Sequence, residues 1–360
     1  MMDGAERAGL RFPFPHPPEE GAVTELAEGV LWARLPLPMA LDHVNVYLLD
    51  DGAGWTVVDT GFDTGRSRAI WARLMEGPLR GKPVLRVIAT HHHPDHIGLA
   101  GWFQAQGAQL LTSRTAWLFA RMLVLDAQDR PLPETAEFWR RAGMAPEILA
   151  QRLNSRPFNF SDVVAPLPLG FQRLAEGDHL RAAGRDWQVR LGQGHAPDQI
   201  TLWSDTCNLV LGADQLLPGI SPNLGVYATE PEADPVAEWI ASCTRMQGFA
   251  REDHLVLPGH KLPFTGLPLR LHQKIEGHHA ALRRLMRHLA EPRRASACFA
   301  PLFNSRITDG TYGLALVEAV AHLNHLVAQG RARRVEDPEG VWLWQAVAAA
   351  GVLSQGVQKG

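Results

Sequence analysis

Thr90-His91-His92-His93-Pro94-Asp95-His96 is the stretch on which the reading of this chain turns. His91, His93, Asp95 and His96 can each bind a metal, and His92 is a fifth candidate in the same loop. The apolar run at 84–89 reads as a buried strand, and the segment at 97–103 reads as the start of a helix. A short loop between two rigid elements holds its side chains still, as a metal site requires. Pro94 lacks an N–H and restricts its predecessor, so it is expected to block helix formation through the loop. A solvated histidine-rich surface loop is the competing reading of such a tract.

The later histidines bear on that choice. Strand-like runs stand at 187–191, 199–203, 207–211 and 254–257. The first, third and fourth are followed within a few residues by His195, Asp214 and His260. Strands that each deliver one such side chain from their end are expected to converge on a single site. Upstream, strands are expected at 30–35, 44–49 and 55–59, with an Asp-Gly turn at 51–52 giving an antiparallel meander. A helix at 64–76 puts Ile70, Trp71 and Leu74 on one face and ends at Gly77-Pro78.

With those residues in view, the chain resembles the metallo-β-lactamase superfamily. Its H-x-H-x-D-H loop stands here at 91–96 and its Asp-Thr-Gly element at Asp59-Thr60-Gly61. Its third-histidine motif stands at Gly194-His195, its bridging aspartate at Asp214 and its last histidine motif at Pro258-Gly259-His260. The motifs occur in family order over roughly residues 25–265. The resemblance implies an α/β fold, an αββα sandwich with two divalent metal ions at one edge. By position, His91, His93 and His195 would hold the first ion, and Asp95, His96 and His260 the second, with Asp214 bridging both. Imidazoles and carboxylates without cysteine favour Zn²⁺, with Mn²⁺ or Fe²⁺ as alternatives. A bridging hydroxide would then attack, and Asp95 would be the catalytic carboxylate. Asp59 is not a ligand in the family and is read as an acceptor that orients a ligand histidine. His92 is expected to point away from the metals and His43 to be a surface histidine. Asp198 departs from the family pattern and stays outside the catalytic set. Tyr227 belongs to a Pro- and Gly-rich loop read as ordinary.

Length and composition set the outer limits. A chain of 360 residues suggests a main domain plus a smaller one. A net charge of −3 argues against a surface built for nucleic acid. Three scattered cysteines fit a reducing compartment, the first 21 residues lack a signal peptide's apolar core, and no run suits a membrane span. The expectation is a cytoplasmic protein. Residues 1–24 are expected as an extended lead-in, 25–266 as the catalytic domain with a helical insertion at about 114–160, and 348–360 as a tail. At 267–347, three helices followed by a hairpin make a winged-helix pattern, as in one clade of the superfamily.

The function expected is hydrolysis of a small-molecule thioester, ester or lactone. One alternative is an endoribonuclease that holds single-stranded RNA with the winged helix; another is a β-lactam hydrolase. Between 278 and 347 there are nine Arg, no Lys and six acids, a modest net +3. That tail is therefore assigned to closing the cleft and supporting a homodimer.

Overall fold

The computed structural model describes residues 5–347, apart from 40 and 305. The expected tail at 348–360 and the first four residues of the lead-in lie outside the described residues. The chain divides into two compact units, one of 1–130, 156–224 and 237–276, the other of 131–155, 225–236 and 277–360.

In the first unit, the lead-in opens with a hairpin of β1 (Ala5–Arg7) and β2 (Leu10–Phe12) rather than an extended arm. Its two-residue turn has both Ala8 (φ 53°) and Gly9 (φ 78°) left-handed, the geometry that matches strand twist. Leu10 and Phe12 are buried, so the hairpin is anchored by apolar burial.

The first sheet comprises β3 (Thr24–Ala27), β4 (Val30–Pro36), β5 (His43–Asp50), β6 (Trp55–Val58), β7 (Val84–Ile88), β8 (Gln109–Thr112) and β9 (Gln172–Arg173), adjacent in that order. Pairing is antiparallel through β6 and parallel from β6 to β9. Between β6 and β7 runs α1 (Gly65–Glu76), capped by Thr64, whose side chain accepts from the Ser67 N–H. Ile70, Trp71 and Leu74 of α1 are buried as the periodicity predicts. They pack with Phe103 of α3 (Ala100–Gln104) and Ala120 of α4 (Arg114–Leu125) against one face of the sheet.

The second sheet is β10 (His179–Ala182), β11 (Arg185–Gly192), β12 (Gln199–Ser204), β13 (Leu209–Ala213) and β14 (Leu255–Pro258), with β13 and β14 parallel. A second core joins the sheets face to face. Trp32, Tyr47, Leu49, Val58 and Ile88 meet Trp187, Val189, Ile200, Leu202, Leu211 and Leu257. Strands buried on both faces read as continuous apolar runs, which is how β13 and β14 look in sequence. The architecture is the mixed α/β sandwich that the motifs imply.

The helical stretch expected as one insertion is divided between the units. Helix α4 belongs to the first, and α5 (Pro133–Arg141) and α6 (Pro146–Leu153) to the second. There Phe138 meets Trp342 edge to face at 5.9 Å, and the Ala145 N–H donates to the Tyr312 hydroxyl at 3.0 Å. Helix α7 (Pro235–Gln247), absent from the sequence reading, precedes β14. The region expected to begin the three helices and hairpin opens with one long helix, α8 (Leu267–His288). Gly277 at its centre costs only about 1 kcal/mol against alanine, and burial of Leu271, Leu282 and Leu285 along the helix outweighs that. The second unit continues with α9 (Phe299–Leu302), α10 (Asp309–Ala328) and an antiparallel hairpin of β15 (Ala332–Glu336) and β16 (Trp342–Ala346). Among the described residues no helix is long and apolar enough to cross a membrane.

Candidate metal centre

Strands β6 and β7 run parallel with Val58 beside Ile88, so the residues that follow them emerge at the same sheet edge. Asp59 follows β6 in the left-handed region (φ 61°), where aspartate is tolerated better than most residues. Its Oδ1 accepts from the Thr90 N–H at 2.8 Å, and its Oδ2 from the Thr90 hydroxyl at 2.9 Å and from His96 Nδ1 at 2.7 Å. Thr60 and Gly61 secure the other end of the loop. The Thr60 N–H and hydroxyl both donate to the His96 carbonyl, and the Gly61 N–H to that of Asp95. A Cβ on Gly98 would stand 2.3 Å from the Gly61 carbonyl oxygen, so only glycine allows this approach.

Pro94 does not keep the loop from turning helical. It is the first residue of a one-turn helix, α2 (Pro94–Ile97). At that position its missing N–H is one that no helix would satisfy, and its fixed φ already suits the turn.

Three other segments arrive at the same edge. His195 follows β11, past Gly194 at φ 99°. Asp214 follows β13, and His260 follows the neighbouring parallel strand β14. The side chains gather into three groups of potential donors, each with its donor atoms within 4.8 Å of one another: His91, His93 and His195; His91, His96 and Asp214; Asp95, His96 and His260. All seven residues named from the motifs are in this cluster. Asp59 stands behind it, against His96.

The hydrogen bonds define what each imidazole presents. His195 Nδ1 donates to the Asn223 carbonyl at 2.8 Å and His260 Nδ1 to the His43 carbonyl at 2.8 Å. His96 Nδ1 donates to Asp59. The Thr90 hydroxyl spends its proton on Asp59 and so accepts from His91 Nδ1 at 3.0 Å. Four imidazoles thereby turn Nε2 inward. His93 faces in through Nδ1 instead, 3.0 Å from both His91 Nε2 and His195 Nε2. Nitrogens at that spacing crowd their lone pairs together, and a cation between them resolves the repulsion.

The electrostatics agree. Burial keeps His91 and His93 far below the usual imidazole range, hence neutral, as ligands must be. Burial acts the same way on His96 and His260, but there Asp95 and Asp214 prevail. They hold His96 well above its ordinary value and His260 at about 10. A field that favours charge on these rings against burial is one that favours a cation. Buried His96 Nε2 and Asp214 Oδ1 have no hydrogen-bond partner among the described residues and stand 3.6 Å apart. This set of nitrogen and oxygen donors fits divalent metal binding.

His92 is not part of the donor cluster. Its ring lies over Phe119 (5.3 Å) and nearly parallel to Phe160 (6.4 Å, 11°). Asp198 braces the third-histidine loop, accepting from the Gln193 side chain at 2.8 Å and from the Thr115 hydroxyl. Tyr227 is half exposed and belongs to the second unit.

His43 is not the surface histidine expected from sequence; it is 8% exposed. Its carbonyl fixes His260, while its ring accepts from the Lys261 N–H at 2.9 Å. Sequence reasoning missed it, as it missed Asn223, which acts through a backbone carbonyl that no side chain announces. For His43 a signal existed. Alternation along β5 places it on one face with Asn45 and Tyr47, and all three bind the segment that carries His260.

Known proteins resemble this chain. The metallo-beta-lactamase superfamily pattern matches residues 39–288, and that of the metallo-beta-lactamase-like, C-terminal domain matches 282–347. The crystal structure of a beta-lactamase domain protein from Burkholderia ambifaria is 34% identical, with 94% of this chain and 98% of that one covered and a TM-score of 0.87. A metallo-beta-lactamase family protein from Thermus thermophilus is 25% identical, with 90% and 100% covered and a TM-score of 0.75. The probable metallo-hydrolase YqjP of Bacillus subtilis (strain 168) is 25% identical over 315 residues, 84% of this chain and 93% of that protein. The chain belongs to the metallo-beta-lactamase superfamily.

Proposed function

We propose that this protein is a dinuclear metal-dependent hydrolase of a small-molecule thioester, ester or lactone, with Zn²⁺ the favoured ion. One observation carries the reading: the His91, His93 and His195 nitrogens crowd at 3.0 Å, beside a carboxylate that also faces a second donor set. In this reading His91, His93 and His195 hold one ion, and Asp95, His96 and His260 the other. Asp214 stands between the two sets and would face both ions, with Oδ2 3.5 Å from His195 Nε2 and 3.3 Å from His260 Nε2. Ions held there would lower the pKa of water toward neutrality and polarise a substrate carbonyl.

The chain's own groups do the rest. Asp95 has the more exposed of the two central carboxylates, 17% against 8% for the Asp214 side chain. It is placed to take a proton from attacking water and return it to the leaving group. Its Oδ2 is 3.3 Å from His260 Nε2, which keeps that oxygen aimed inward. His92, held neutral by burial with a pKa of about 3, forms an apolar wall with Phe119 and Phe160. Such a wall suits an acyl group with an apolar body better than a chain of phosphates. The cysteine thiols of Cys243 and Cys298 are pushed up by burial to about 11 and about 12, so neither of these two supplies a thiolate.

Three arginines of the second unit are already paired with acids, which supports a small-molecule substrate over RNA. Arg294 pairs with Asp337 at 2.9 Å, Arg334 with Glu232 at 2.6 Å, and Arg141 with Glu336. Cations already engaged in this way have less to offer phosphates. The test is a side-by-side assay of the zinc-loaded protein on thioesters, esters, lactones, β-lactams, phosphodiesters and single-stranded RNA. Turnover of an acyl substrate is expected; cleavage confined to RNA or phosphodiesters would overturn the reading.

A further inference from the structure

The segment carrying His260 is held from outside by side chains that have no place in the donor cluster. Lys261, its neighbour, stands at φ 72°, a conformation that a lysine does not adopt without external support. Both of its backbone polar groups are engaged. Its N–H donates to His43 Nε2 at 2.9 Å, and its carbonyl accepts from Asn45 Nδ2 at 2.8 Å and from Arg34 Nη2 at 3.0 Å. Asn45 also donates to the Pro258 carbonyl from its side chain and to that of Gly259 from its backbone. Buried Asn45 is itself fixed, because its Oδ1 accepts from Trp32 Nε1 and Arg34 Nε. The Asp42 carboxylate accepts from His43 Nδ1 at 2.5 Å, which leaves Nε2 as the acceptor that the Lys261 N–H requires.

We propose that the His43 side chain is a positioning residue for the metal site. By holding Lys261 in the left-handed conformation, it aims the His260 imidazole, whose own Nδ1 is bound to the His43 carbonyl. The inference rests on the metal reading above and adds to it a residue whose imidazole lies outside the donor cluster. Every substitution at 43 keeps the carbonyl, so an effect of the side chain travels through the Lys261 amide or through the edge contact of the His43 and His260 rings at 6.3 Å, and only the first is restored by an acceptor at that position or by relief at Lys261.

The experiment is a zinc titration of the full chain against a competing chelator, resolving the stronger and the weaker ion. His43→Gln places an amide oxygen near the position of Nε2 and is expected to bind both ions within threefold of wild type. His43→Leu keeps the bulk and removes the acceptor; it is expected to weaken one ion at least tenfold and spare the other. Lys261→Gly, which accepts the left-handed conformation without support, is expected to recover most of that loss in the double variant. If His43→Leu does not fold, His43→Asn, too short to reach the amide, takes its place. Wild-type affinity in the acceptor-less variant, equal weakness in His43→Gln, or parallel loss of both ions would overturn the proposal. A wild-type protein that binds no zinc would instead remove the metal reading on which it rests.

Discussion

Asp59→Asn exchanges one oxygen for an NH2 group and is expected to weaken zinc binding by about 10–100-fold at the ion that His96 would hold. The magnitude follows from three hydrogen bonds. Asp59 accepts from the Thr90 N–H, the Thr90 hydroxyl and His96 Nδ1, at 2.8, 2.9 and 2.7 Å. Asparagine tolerates the left-handed backbone there, so the conformation itself is not the perturbation. Neither orientation of the new amide suits all three donors. With NH2 toward the Thr90 N–H, two donors face each other. With NH2 toward His96, that ring must carry its proton on Nε2, the atom a metal needs. Either arrangement leaves a buried hydrogen bond unmade, which costs about 1–3 kcal/mol. Chelator-competition titration reads the affinity and urea unfolding reads the stability. Wild-type affinity together with wild-type stability would refute the claim that Asp59 sets the His96 proton.

Other substitutions probe the same cluster and its surroundings. Asp214→Ala is expected to abolish turnover and lower zinc content, whereas His92→Ala should leave zinc content near normal; equal damage would mean the wrong histidines have been grouped. Gly259→Ala should act nearly as strongly as loss of a ligand, since its Cβ would stand 2.2 Å from Asp214 Oδ1. Zinc content and activity together check it. Buried Lys274 has its pKa pulled down to about 7, by burial first and Arg270 second. Between about pH 7 and the unfolded lysine's 10.4, the unfolded chain holds a proton that the folded one has released, so stability rises with pH through that window. Below it the cost of burying the ammonium is fully present, on the order of 4–5 kcal/mol. Relative to Lys274→Met, the wild type should therefore gain stability from pH 7 to 10 in urea unfolding; a constant difference would contradict the assignment.

What could be read from the sequence, and what could not, follows physical lines. Strands β13 and β14 stood out because both of their faces are apolar, and β11 because its buried Trp187 and Val189 alternate with polar residues; Asp214, His260 and His195 follow within a few residues. Strand β9 could not be seen, since Gln172 and Arg173 are both exposed and carry no alternation. Asp59 was legible through its Asp-Thr-Gly setting, and the carboxylate does reach His96. The supports of His195 and His260 were not, because Asn223 and His43 hold them with carbonyl groups. The division of the helical stretch also escaped the sequence. Phe138 and Trp342 are some two hundred residues apart, and apolar periodicity does not name the partner that a helix face will find.

The most direct measurement is the zinc content of the protein purified without chelator and then equilibrated with zinc, read by elemental analysis beside X-ray absorption. Close to two ions per chain, with nitrogen and oxygen ligands at about 2.0–2.2 Å and no sulfur, is the expected result. A chain that retains no zinc after equilibration, or that holds it through sulfur, would contradict the grouping of His91, His93, Asp95, His96, His195, Asp214 and His260 around metal.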